Sequence, residues 1–242
     1  MAKEKGSMGL QIGRAALGAL VVAMLAMGMS PVPAWADDTQ DARHLVEKAQ
    51  ITMEIFQTDP TMGEFRDALK RAKAVLILSQ VVKVGFLFGG SGGSGVMMAS
   101  DGKGGWNGPA FYTIGAVSFG ALAGAEASEV VLLAMTERGL HAMLRPSVKL
   151  GADASIALGP IGAGVAAATA NLSVDLVSFA RAKGLYAGLS VDGAIVGTRD
   201  GLNRAYYGRE TTPTDILLVG DIRNPHSGGL TATLTRMMAE QK

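Results

Sequence analysis

A run of glycines and serines at residues 89–95 is the first stretch whose residue types could do chemistry. Residues 90–95 fit the pattern G-x-G-x-x-G of dinucleotide-binding loops, and residues 89–93 fit G-x-S-x-G, which would make Ser91 a nucleophile. Both sites need a helix directly after the loop, whereas residues 96–99 lead within a few positions into another glycine-rich turn. We therefore interpret the run as a tightly turning hairpin loop, in which glycine permits unusual backbone angles.

The three histidines, His44, His141 and His226, are the remaining candidates for acid–base or metal chemistry. None has a neighbouring acid that marks it as a general base, and the chain has no cysteine. No spacing typical of zinc or calcium ligands occurs. We predict a protein that is not an enzyme and that has no catalytic residues, no metal site and no cofactor.

The first 36 residues have the pattern of a secretory signal peptide. Lys3, Lys5 and Arg14 precede an apolar run at residues 15–29, and Ala-Trp-Ala at residues 34–36 supplies the small-x-small pattern of a cleavage site. The run is shorter than the roughly 20 residues that span a bilayer, and a retained anchor is the alternative. We expect an exported protein that is periplasmic or associated with the cell envelope, or is secreted.

The composition of residues 37–242 limits the class of partner. Removing the leader takes three basic residues and one acidic residue from a chain of net charge +1, which leaves it close to neutral. This balance argues against a general nucleic-acid binder. Without cysteines, stability must come from an ordinary hydrophobic core, for which this length is sufficient.

Hydrophobic periodicity predicts an α+β protein with one domain at residues 37–242. We expect a multi-stranded, mainly antiparallel sheet or barrel-like core, an N-terminal amphipathic helix that ends before Pro60, and short C-terminal helices. The predicted strands are residues 74–78, 81–88, 96–99, 111–119, 130–135, 148–158, 164–172, 176–180, 185–190 and 194–198. Further helices are predicted near residues 65–72, 136–144, 214–218 and 230–238.

Several blocks in chain order resemble the SYLF family, a lipid-binding domain found in bacteria and eukaryotes. The resemblance extends from about Ala42 to Leu230. Its most specific blocks are AKAVLI at residues 72–77, VKVGFL at 82–87, GGSGV at 92–96 and WNGPA at 106–110. Weaker blocks occur at residues 124–129, 150–153, 159–162, 183–188 and 203–208. Ser91 departs from eukaryotic members, in which a basic residue is often found.

The resemblance implies recognition of anionic phospholipids, which are phosphoinositides in eukaryotic members, some of which also bind actin. An exported, bacterial-type chain would meet neither phosphoinositides nor actin, so the implied ligand is an anionic lipid of the cell envelope. This transfer is an inference by analogy. A structural or protein-interaction role in the envelope, without a lipid ligand, is the alternative.

The N-terminal helix is one candidate for contact with a membrane, as the resemblance implies. Leu45, Val46, Met53 and Phe56 recur at helical spacing, and Lys48 lies nearby. An amphipathic helix of this kind can lie in a lipid interface. The alternative is that the same apolar stripe packs against the sheet of its own domain.

A cluster of basic residues is the second candidate. Lys70, Arg71, Lys73 and Lys83 form the densest basic stretch, and a phosphate between them would gain charge-assisted hydrogen bonds. Trp106 could anchor at an interface through its amphipathic ring. The alternatives are a solvated basic surface and a tryptophan packed in the core.

Overall fold

A computed structural model describes residues 34–86, 88–119, 124–159, 174–182 and 191–239. The described residues from Asp38 onward form one compact unit. The predicted signal peptide falls almost wholly outside the described residues, so it stays a prediction, as does the domain boundary at residue 37. None of the helices in the described ranges is long and apolar enough to cross a membrane.

The described residues form helices and eight strands, of which the first four are the longest. The helices are α1 (Ala34–Thr58), α2 (Gly63–Leu69), α3 (Glu137–Met143), α4 (Asp200–Tyr207) and α5 (Gly228–Ala239), with a π-helix at Asp215–Val219 and 3₁₀ turns at Pro60–Met62 and Pro225–Ser227. The strands are β1 (Ala74–Phe86), β2 (Phe88–Ser100), β3 (Trp106–Phe119), β4 (Gly124–Ala134), β5 (Ser147–Lys149), β6 (Ile156–Leu158), β7 (Leu176–Ala182) and β8 (Ile195–Thr198).

The described strands form one eight-stranded sheet in the order β5-β8-β3-β2-β1-β4-β7-β6. Neighbours are antiparallel except β6 and β7, which are parallel. The predicted α+β class, with its antiparallel sheet, N-terminal helix and C-terminal helices, is confirmed. The strands predicted at residues 164–172 and 185–190 lie outside the described residues.

Both faces of the sheet are covered by apolar layers. On one face α1, α2, α4 and α5 pack over side chains such as Ile77, Met98 and Phe111. On the other face α3 and the π-helix pack over Leu76, Met97 and their neighbours. Alternate residues of each strand therefore enter different cores, as the period of two along a strand requires.

The glycine run was predicted as a loop, and that prediction is wrong. Residues 88–100 form the continuous strand β2, which pairs with β1 on one side and β3 on the other. The pairing with β1 shifts register between Ile77 and Gln80, and the β1 backbone there approaches β2 closely. A Cβ on Gly95 would lie 2.1 Å from the Ile77 carbonyl oxygen, and a Cβ on Gly93 would lie 2.5 Å from that of Gln80. No helix follows, because β2 continues to Ser100.

A buried carboxylate connects three element ends. Asp175, which is 1% exposed, accepts hydrogen bonds from the Thr136 hydroxyl at 2.8 Å and from the Ser155 backbone N–H at 3.0 Å and hydroxyl at 2.8 Å. Arg138 donates to both of its oxygens. These bonds hold the pKa of Asp175 well below its ordinary value, and the bond from Arg138 has the largest effect.

Candidate anion-binding groove

One of the four basic residues predicted to share a phosphate, Lys83, lies far from the others. Lys70 lies 3.3 Å from Asp67, and Lys73 lies 3.0 Å from Glu137. Lys83 is ten residues further along β1 than Lys73, roughly 30 Å away at the rise of a strand. Its direct register partners are Glu126 on β4 and Ser91 on β2.

The predicted cluster is therefore corrected for Lys83 alone, because an extended strand carries it away from Lys70, Arg71 and Lys73. Arg71 and Lys48 are exposed, and Lys83 is half-buried. Whether any of these residues contacts a lipid stays a prediction.

The apolar stripe of α1 lies in the core. Val46 is 2% exposed, and Met53 and Phe56 are fully buried, with Leu45 partly buried beside them. Phe56 packs edge-on against Phe65 of α2, at 5.0 Å between ring centres. The alternative interpretation, packing on the domain's own sheet, is the one observed. Contact of these side chains with a membrane would first require α1 to leave the core, at a cost of about 1.5–3 kcal/mol for each buried side chain.

Trp106 begins β3 and is 5% exposed, so its ring is packed and not displayed. It nevertheless lies in the wall of a groove. The Trp106 indole nitrogen is buried and has no hydrogen-bond partner among the described residues.

This groove runs between the start of β3, residues 223–228, and one face of α5. Its volume is about 790 Å³, within the range of small-ligand clefts. The residues of α5 that line it recur at spacings of three and four and are mostly small. The lining comprises Trp106, Asn107, Gly108, Arg223, Asn224, Pro225, Ser227, Gly228, Thr231, Ala232, Thr235, Arg236 and Ala239.

Among the described residues of the lining, the charged ones are two arginines, Arg223 at one wall and Arg236 on α5. Both are exposed. The Arg223 Nε donates a long hydrogen bond of 3.4 Å to the Gly220 carbonyl, and no partner of the Arg236 guanidinium is found among the described residues. Their donor groups are therefore largely available to a ligand.

The segment that carries Arg223 is held by side-chain caps. The Asn224 side chain donates to the Tyr206 carbonyl at 2.8 Å and accepts from the His226 backbone N–H at 3.0 Å. The Ser227 hydroxyl donates back to the Asn224 carbonyl at 2.8 Å. This wall of the groove is consequently fixed to α4 and to the start of α5.

The geometry suits an anion more than a cation. Guanidinium groups bind phosphate or carboxylate oxygens through paired N–H donors. Hydroxyls of Thr231 and Thr235 lie along the same helix face. Asp101 lies outside the lining; donation from the Lys103 and Gly105 backbone N–H groups, with a smaller contribution from Arg223, lowers its pKa.

A second cavity, of about 510 Å³, has the opposite charge. Asp200, Glu210 and Asp215 are in its lining, together with Thr211 and Thr212. A phosphate would be repelled there. The described residues contain no group of three His, Asp or Glu side chains placed to hold a metal ion.

Sequence reasoning missed both groove arginines. Arg223 and Arg236 are thirteen positions apart, and neither lies in a basic run. They line the same groove because the chain turns at residues 224–228 and α5 follows directly. The one available signal was Trp106, which was predicted to be a lipid-binding residue and does line the groove.

The described residues form a mixed α/β domain in which apolar layers cover both faces of one sheet. Comparison with known proteins places this domain in a family. Residues 115–237, about half of the chain, match the profile described as "Ysc84: Las17-binding protein actin regulator". The chain belongs to the Ysc84 (SYLF) family. The resemblance found in the sequence blocks is thereby confirmed.

Similar proteins are eukaryotic and longer than this chain. LAS seventeen-binding protein 3 of Saccharomyces cerevisiae is 30% identical over 205 residues, which are 82% of this chain and 44% of that protein. SH3 domain-containing YSC84-like protein 1 of Bos taurus is 31% identical over 159 residues, 65% of this chain and 46% of that protein. The chain thus spans less than half the length of these relatives.

Proposed function

We propose that this protein is a non-enzymatic binding protein whose ligand is an anionic phospholipid at the cell envelope. The observation that carries the proposal is the groove with two arginines, Arg223 and Arg236, and no acidic residue among the described residues of its lining. A phosphodiester headgroup matches the paired donors of guanidinium groups. The predicted leader supports export to a periplasmic, envelope-associated or extracellular location.

Vesicle co-sedimentation tests this proposal. We expect binding to phosphatidylcholine vesicles that contain phosphatidylglycerol and little binding to phosphatidylcholine alone. The double variant Arg223→Glu/Arg236→Glu should weaken binding about tenfold or more, since each cation near an anionic surface contributes about 1 kcal/mol and reversal adds repulsion. Both residues are exposed, so folding should persist.

Two control variants make the result specific. Arg145→Glu/Lys149→Glu changes the net charge equally at two exposed positions, one just before β5 and one at its last residue. Lys70→Glu/Lys73→Glu alters two cations that already face Asp67 and Glu137. We expect both to keep most of the binding. Equal losses in all three double variants would contradict a groove site, and absence of charge-dependent binding would contradict the proposal itself.

A protein-interaction role is the second candidate, favoured by the names of the relatives. One is named for binding LAS seventeen, and the family profile describes an actin regulator. This candidate predicts that a purified envelope protein, identified by cross-linking, binds the chain in the absence of lipid. If binding of every such protein requires vesicles, this candidate is wrong.

A further inference from the structure

Two exposed apolar side chains stand at the end of the π-helix. Leu218 is 41% exposed and Val219 is 62% exposed. The preceding Ile216 and Leu217 are 0% and 1% exposed and belong to the core below the sheet. The exposed pair therefore directly follows two residues that are packed in the core. Gly220, with φ of 72°, ends the π-helix directly after Val219.

This pair adjoins the cationic groove. The Asn107 side-chain nitrogen donates to the Leu217 carbonyl at 3.2 Å, and Asn107 also lines the groove. On the other side of Gly220, Arg223 donates to the Gly220 carbonyl. A Cβ on Gly220 would lie 2.6 Å from Asn107, so the turn and the groove wall are in close contact.

We propose that Leu218 and Val219 enter the interfacial layer of an anionic bilayer while the groove arginines hold lipid phosphate. The inference rests on the proposed function and specifies the side of the protein that faces the membrane. Apolar groups beside cations satisfy the two requirements of reversible binding, which are buried apolar area and attraction to anionic lipid. Of the acids in this segment, Asp215 accepts bonds from Thr212, and Asp221 is exposed and opposes binding.

Two other exposed apolar positions lack this combination. Ile51 on α1 is 55% exposed, but its helical neighbours include Glu47 and Glu54 as well as Lys48. Val117 on β3 is 83% exposed, and its register partner is Gly90. In the sheet, Gly90 pairs in turn with Val84, so this row offers no cation to an anionic surface.

The absence of cysteine allows one probe to be placed at each surface. Val219→Cys, Ile51→Cys and Val117→Cys are labelled with the environment-sensitive fluorophore NBD and mixed with phosphatidylcholine vesicles with or without phosphatidylglycerol. We expect a blue shift and a several-fold rise in emission at position 219 with anionic vesicles only. Leu218→Ser/Val219→Ser, at exposed positions, should weaken vesicle binding about tenfold while the circular dichroism is unchanged.

The outcomes separate this inference from the proposed function. If the labelled proteins co-sediment with anionic vesicles but the probe at 219 stays aqueous, or the probe at 51 or 117 responds as strongly, the inference is overturned and lipid binding stands. If none of the proteins binds anionic vesicles, the proposed function fails and the inference fails with it.

Discussion

At the scale of single residues, guanidinium groups have two different roles: one binds the buried carboxylate of Asp175, and two line the groove. Arg138 of α3 binds Asp175, at the start of β7, with two N–H donors, and the Ser155 N–H connects the same carboxylate to the start of β6. Arg223 and Arg236 keep their donors at an open groove. Arginine suits both tasks because its planar fork matches a carboxylate or a phosphate, whereas lysine offers a point charge.

Asp175 gives a prediction about stability and pH. The change Asp175→Asn should lower the free energy of unfolding at pH 7 by about 2–3 kcal/mol, because hydrogen bonds to a charged group are lost. The pKa of Asp175 is depressed in the folded protein, so its contribution is complete above the unfolded pKa near 4 and declines as the pH falls below that value.

Urea denaturation at pH 7 and pH 3 measures this effect. The wild type should lose more stability between the two values than Asp175→Asn, and Asp221→Asn, at an exposed site, should behave as wild type. An Asp175→Asn variant with undiminished stability at pH 7 would contradict the assigned role.

At the scale of elements, β2 shows a glycine requirement that arises from its neighbour. The register shift in β1 brings carbonyl oxygens close to Gly93 and Gly95. Gly92 is different, since a Cβ there would lie 3.6 Å from the Ile114 carbonyl oxygen, an ordinary contact. Close packing against β1 therefore requires glycine at positions 93 and 95, but not at position 92.

This difference predicts unequal effects of the same substitution. Gly95→Ala should destabilise the protein by about 1–3 kcal/mol or more, because backbone must move to admit the methyl group. Gly92→Ala, an exposed position on the same strand, should change stability by less than about 0.5 kcal/mol. Urea midpoints of the two variants give the comparison, and equal midpoints would contradict the close approach of β1 to β2.

At the scale of the whole molecule, periodicity predicted the architecture because most apolar patterns agree with their final elements. Thr136 caps α3, a helix that was predicted near residues 136–144, and the stripe of α1 follows the expected spacing. The sequence could not predict that the glycine run forms a strand, because glycine favours loops locally. The close approach of β1 at its register shift, which accounts for Gly93 and Gly95, is visible only in the structure.

The candidate site was less predictable than the fold. Density of basic residues pointed to Lys70, Arg71 and Lys73, which are close in sequence. The groove instead depends on Arg223 and Arg236, which tertiary folding brings together with Trp106. A pattern in sequence cannot report such a juxtaposition without knowledge of how α5 packs.

The most direct test of the central claim is the response of the Trp106 indole N–H to lipid. A ¹⁵N NMR titration with short-chain phosphatidylglycerol should shift this resonance, which Trp106→Phe would identify, because the ring forms part of the groove wall. We predict a shift that saturates with the anionic lipid, is absent with the matching phosphatidylcholine and is lost in Arg223→Glu/Arg236→Glu. An unchanged resonance, or an equal shift with both lipids, would contradict anionic lipid binding in the groove.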